Sequence, residues 1–138
     1  MRAALIMFGV LLCSGVEAAT PIPACQNKRQ CEAMWAAAQT AIVTATGMAI
    51  RLASDTRIET HPATNVSQLT GVATKVLSGQ EGYKIVVDLS CFESIAKCDD
   101  ITRSATEIFN TLVVNAGAGF GLLPEANPLE RKAIWADR

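Results

Sequence analysis

The chain has one histidine, His61, and five cysteines, none of which stands two residues from another. The missing two-residue gap removes the usual signatures of a redox-active pair and of a zinc site. A metal site of another kind needs further imidazoles or clustered carboxylates beside His61, and the sequence groups none. No apolar run reaches the ~20 residues that span a bilayer as a helix. There is no excess of one charge either: 12 Lys and Arg face 13 Asp and Glu, for a net charge of −1. A chain so balanced has no electrostatic footprint for nucleic acid or an anionic membrane. Internal repeats and low-complexity segments are absent too, so neither a solenoid nor a disordered tail is indicated.

The first residues read as an export signal. Met1-Arg2 is a short basic start, Ala3 to Leu12 is apolar, and Val16-Glu17-Ala18 sets small or apolar residues where a signal peptidase reads. Cleavage after Ala18 is expected. Leu12 before Cys13 is too bulky for a lipoprotein site. Removing residues 1–18 takes away one charge of each sign, Arg2 and Glu17, so the net charge is unchanged, and residues 19–138 are left as one domain. Four cysteines remain: Cys25, Cys31, Cys91 and Cys98. An even number after export is the expected count for two disulfides in an oxidising compartment, periplasmic or secreted. Of the three pairings open to four cysteines, the local ones, Cys25 with Cys31 and Cys91 with Cys98, are preferred because each closes a short loop beside a helix start.

Periodicity assigns the elements. Thr20-Pro21-Ile22-Pro23 is an extended lead-in. A helix is expected from Asn27, with Gln30 completing a capping box, to Thr46 before Gly47. Its buried stripe is Cys31, Met34, Trp35, Ala38, Ile42 and Ala45, with Thr46 off it. Met48 to Ala53 alternates as a strand with Met48, Ile50 and Leu52 inward, Ser54-Asp55-Thr56 turns, and Arg57 to His61 is a second strand with Ile58 and Thr60 inward. After a polar loop over 62–67, residues 70–77 suit a helix through Leu69, Val72 and Val76 or a strand through Val72, Thr74 and Val76, and the β-branched residues favour the strand. The loop from Ser78 to Gly82 then leads into a strand whose inward face is Tyr83, Ile85, Val87, Leu89 and Cys91. Asp99 or Asp100 caps a second long helix with the stripe Ile101, Ala105, Ile108, Phe109, Leu112 and Ala116. The glycines of 115–121 end it; they lack the flanking elements and lysine of a phosphate loop. A short helix over 128–137, docking through Leu129 and Trp135, follows from Asn127, Pro128 and Glu130.

The expected fold is therefore α+β. A four-stranded antiparallel meander carries both long helices on one face, with a short C-terminal helix and two disulfides. The opposite face is open and presents Arg51, Arg57, Glu59, His61, Lys75, Lys84 and Asp88, with Ala53 and Val86 between them. No catalytic set stands out. Glu59, Asp88, Glu93, Asp99 and Asp100 supply carboxylates on unrelated faces, and Asn65-Val66-Ser67 matches a glycan acceptor that matters only in a eukaryote. The composition implies no cofactor and no stable membrane insertion after cleavage. The expected function is a non-catalytic module that binds another envelope or secreted protein through the open face, as an inhibitor, an immunity-type protein or an assembly accessory. The alternative is a small secreted hydrolase with its site around His61, oriented by Asp55 or Glu59.

Overall fold

The computed structural model describes residues 20–120, which form β1 (Ala24–Cys25), α1 (Lys28–Thr46), β2 (Ile50–Ala53), β3 (Arg57–Thr60), β4 (Leu69–Ser78), β5 (Gly82–Cys91) and α2 (Cys98–Ala118). The expected leader over 1–18 and the expected helix over 128–137 lie outside these residues. Both local disulfides are present, Cys25–Cys31 and Cys91–Cys98. One ties β1 to the start of α1, and the other ties the end of β5 to the start of α2.

Helix α1 begins where its capping residues put it. Asn27 Oδ1 accepts from the Gln30 N–H at 2.9 Å, and Gln30 Oε1 reaches back to the Gln26 N–H at 2.8 Å. Gly47 closes it in the left-handed region, φ 71°, with its N–H on the Val43 carbonyl; that conformation carries no Cβ penalty in glycine. The expected stripe is buried, with Ala45 partly so, and Ala41 joins it. Thr46 corrects the expectation: it is buried, not off the stripe. Its hydroxyl donates to the Ile42 carbonyl at 2.7 Å and accepts from the Met48 N–H at 3.2 Å, so the buried polar group is satisfied.

The sheet has five antiparallel strands in the order β1-β5-β4-β3-β2. Strands β2 to β5 form the meander in sequence order, as expected. Strand β1 is an addition: the extended lead-in runs on to pair Ala24 with Lys84 and Cys25 with Tyr83. Two face assignments change. In β4 the residues toward the helices are Leu69, Gly71 and Ala73, all buried, so Val72, Thr74 and Val76 take the open face. The reason is the closeness of α1. A Cβ on Gly71 would lie 2.8 Å from Thr46 Cγ2 and 3.0 Å from Ile42 Cγ1, so the inward positions are the ones with little or no side chain. In β2 the register shifts between Ile50 and Leu52, which pair with Thr60 and Glu59. The extra residue of this bulge turns Leu52 outward beside Glu59 and sets Ala53 opposite inward-facing Ile58.

Helix α2 has Asp99 and Asp100 within its first turn rather than at its cap, where Lys97 makes no side-chain bond. The two carboxylates still suit the positive end of the helix. The helix also runs through Asn115 to Ala118, past the expected stop. Gly117 is a contact point instead, since a Cβ there would fall 2.4 Å from Met34 Sδ and the Gln30 side chain donates to its carbonyl at 3.2 Å. This close crossing rotates the buried arc to Ala105, Phe109, Asn110, Val113 and Gly117. Ile101, Ile108 and Leu112, expected inward, are 39%, 47% and 41% exposed. The core is one cluster: Met34, Trp35 and Ile42 of α1 and Phe109 and Val113 of α2 close over Ile58, Ala73 and Ile85 of the sheet.

Candidate functional site

The open face is shared by all the strands, and their registers lay it out in rows. Leu52, Glu59, Val72 and Asp88 lie side by side across β2, β3, β4 and β5. Arg57, Thr74 and Val86 form the next row, and Val76, Lys84 and Ala24 the one after. Among the described residues no helix covers these rows, and Leu52, Val76 and Val86 are 46%, 47% and 38% exposed. Along β4 the face is thus aliphatic apart from Thr74, and the charges lie on the strands to either side.

At one edge two guanidiniums meet a single carboxylate. Arg51 Nη2 donates to Glu59 Oε2 and Arg57 Nε to Glu59 Oε1. The bulge makes this possible, because it puts Arg51 and Leu52 together opposite Glu59. The Arg57 hydrogen bond is the largest cause holding the Glu59 carboxyl below the ordinary carboxylate range; desolvation opposes it, and the attraction of both arginines and the Arg51 hydrogen bond add to the lowering. Two positive groups sharing one negative group leave a net positive charge at this corner. Lys84 and Asp88 are exposed on β5, and neither makes an ion pair among the described residues.

The sequence placed seven residues on this face, and the structure brings five of them there: Arg51, Arg57, Glu59, Lys84 and Asp88. Lys75 is a correction. It pairs with fully buried Ile85, on the helix side of β4, and its ammonium sits 4.6 Å from the ring centroids of both Trp35 and Tyr83. Trp35 is anchored by its indole N–H on the Ser54 carbonyl at 3.2 Å and Tyr83 by its hydroxyl on the Cys31 carbonyl at 2.7 Å, so the clamp is built from structural groups. Burial pushes the Lys75 pKa down and Asp55 opposes that shift. His61 is exposed just past the end of β3, with its backbone N–H on the Ala49 carbonyl at 2.9 Å. Ala53 likewise leaves the open face, by the bulge described above. The sequence missed Leu52, Val72, Thr74 and Val76 there, because neither the bulge nor the tight α1 contact has a local sequence signal.

Among the described residues the His61 ring makes no hydrogen bond, and Glu59, two residues away, is held by both arginines. Surface clefts among the described residues lie elsewhere. One of about 600 Å³ separates the end of α1 from the start of α2, between Ala45, Leu69, Ile101 and Ile108. Another runs along α2 beside Thr20, and the third lies in the disulfide loop at Phe92. Among the described residues no three His, Cys, Asp or Glu side chains converge as a metal would require, and no helix is long and apolar enough to cross a membrane. Comparison with family models, with curated proteins and with solved structures returns no match.

Proposed function

We propose that this chain is a non-catalytic, periplasmic or secreted protein-binding module that docks another exported protein on its open sheet face. The observation that carries the reading is the uncovered aliphatic stripe through Val72, Val76, Val86 and Leu52, bordered by two arginines that share one carboxylate. Apolar centres with charged rims are the anatomy of protein interfaces, and arginine is enriched among their anchors. The net positive corner selects for a partner patch edged with carboxylates, which a guanidinium binds through paired hydrogen bonds. Two disulfides fit the oxidising compartment in which such a partner is met. Inhibition, immunity and assembly of an envelope complex are all roles that such a surface serves.

The test is capture of partners from an envelope fraction with the oxidised protein and with the folded triple variant Arg51→Ala, Arg57→Ala, Lys84→Ala. A partner held by the wild type, lost by the variant and released by salt is the expected result. Equal capture by both proteins would remove the open face from the reading.

A further inference from the structure

Strand β5 is paired along its whole length on one side and only at its beginning on the other. With β4 the register runs from Gly82 opposite Ser78 to Cys91 opposite Leu69. With β1 it covers only Tyr83 and Lys84, and one further backbone bond follows, the Ile85 N–H to the Pro23 carbonyl at 2.9 Å. There the lead-in departs. Thr20, three residues before Pro23, is beside α2, its hydroxyl 3.5 Å from that of Thr111.

Backbone groups in a strand point alternately to its two neighbours. Since Ile85 bonds to the β1 side, Val87 and Leu89 aim their N–H and C=O groups at the same outer edge. Among the described residues, neither N–H has a backbone or side-chain acceptor. An open edge of this kind is a template for one more strand. The side chains around it set the chemistry of that strand. Asp88 lies between Val87 and Leu89, on the open face, with no ion pair among the described residues. Just past the strand, a cleft of about 480 Å³ is lined by Phe92, Glu93 and Ile95, and Phe92 is 45% exposed.

We propose that the outer edge of β5 from Val87 to Leu89 accepts an extended segment of a partner protein, continuing the line of β1, and that this segment carries a Lys or Arg to face Asp88. Main-chain bonds to Val87 and Leu89 supply attachment, and the carboxylates of Asp88 and Glu93 select a basic segment. An apolar side chain near its end lies on Phe92. A second copy of the chain is the wrong occupant for this edge. Two-fold pairing centred on Asp88, the middle of the open stretch, sets two carboxylates directly opposite each other, which is destabilising. The inference shares the partner-binding reading but uses a different surface, since Arg51 and Arg57 lie at the β2–β3 end of the sheet.

The experiment uses the oxidised, isotope-labelled protein and two blocked octapeptides of alternating Lys and Val, one of them N-methylated at every Val, the residues whose N–H groups face β5 when a Lys faces Asp88. Amide exchange at Val87 and Leu89 is the readout. With the plain peptide at about nine times its Kd, exchange at both amides slows on the order of tenfold, following the unbound fraction. The N-methylated peptide, which cannot donate along one edge, leaves them unchanged. Val87→Pro removes the outward N–H without removing a bond to β4 and abolishes the effect. Asp88→Lys keeps every backbone donor and weakens the peptide several-fold, so the proposal stays testable where the proline variant does not fold. Unchanged exchange in the wild type, equal effects of the two peptides, or equal affinity of Asp88→Lys overturns it. So does concentration-dependent protection without peptide, which assigns the edge to a second copy. The variant lacking Arg51, Arg57 and Lys84 side chains retains the Val87 and Leu89 protection, so failure of the open face and failure of the edge are read separately.

Discussion

Phe109 and Ile108 are adjacent on α2 and were expected in one buried stripe, yet one is fully buried and the other is 47% exposed. Truncating each to alanine measures the rotation of the helix directly. Phe109 closes the core over Ile85 and Ala73, and removing a buried phenyl ring costs roughly 3–5 kcal/mol, the transfer of its carbons plus the cavity left behind. For Ile108 the lost carbons are worth ~0.8 kcal/mol per buried CH₂, and with about half of the side chain already in water the cost is about 1 kcal/mol. Urea unfolding followed by far-ultraviolet circular dichroism, disulfides intact, gives both values from the midpoints at constant slope. Phe109→Ala is expected to be the more destabilised by at least about 2 kcal/mol. Equal losses, or a larger loss for Ile108→Ala, would refute the orientation of α2 and with it the Gly117 contact that sets it.

Two further tests follow from the sheet. Gly71→Ala should destabilise by about 1–3 kcal/mol, as overpacking does, because the added methyl meets Thr46 Cγ2 at 2.8 Å; Thr46→Ser, which deletes that methyl, should recover part of the loss in a double-mutant cycle, and strict additivity would show that the two positions do not touch. Glu59 tests the arginine corner: the Arg57 hydrogen bond and both nearby charges depress its folded-state pKa, so its contribution is present above the unfolded carboxylate value and is lost as pH falls through the lower folded value. The stability difference between wild type and Glu59→Gln should therefore be larger at pH 7 than at about pH 3, and a difference independent of pH would show that the carboxylate charge plays no part.

What could be read in the sequence depended on whether a local pattern or a distant contact chose the buried side. In β5 the alternation of Tyr83, Ile85, Val87 and Leu89 with Lys84, Val86 and Asp88 left one assignment, and the structure has it. The caps of α1 and both disulfides are likewise short-range features, and they are where the residue types put them. Strand β4 and helix α2 offered two faces each, and the larger residues drew the wrong choice. Val72 and Val76 look more like core than Gly71 and Ala73 until α1 is laid over them, when only the smaller pair fits. The same holds on α2, where Gly117 reads as a helix stop in one dimension and as the closest approach to Met34 in three.

These two errors carried the functional reading with them. Once β4 turns over, Lys75 passes from the open face to the aromatic clamp of Trp35 and Tyr83, and three aliphatic or hydroxyl side chains take its place among the strands. The face becomes less charged and more apolar than the sequence suggested, closer to the charge-depleted centre of a protein interface. The outer edge of β5 is a different case, because every non-proline residue brings the same N–H and C=O. Whether those of Val87 and Leu89 are paired depends on where the lead-in leaves the sheet. Past that departure Thr20 lies beside α2, its hydroxyl 3.5 Å from that of Thr111, far along the chain, so an acceptor edge of this kind becomes visible only when strands are counted in space.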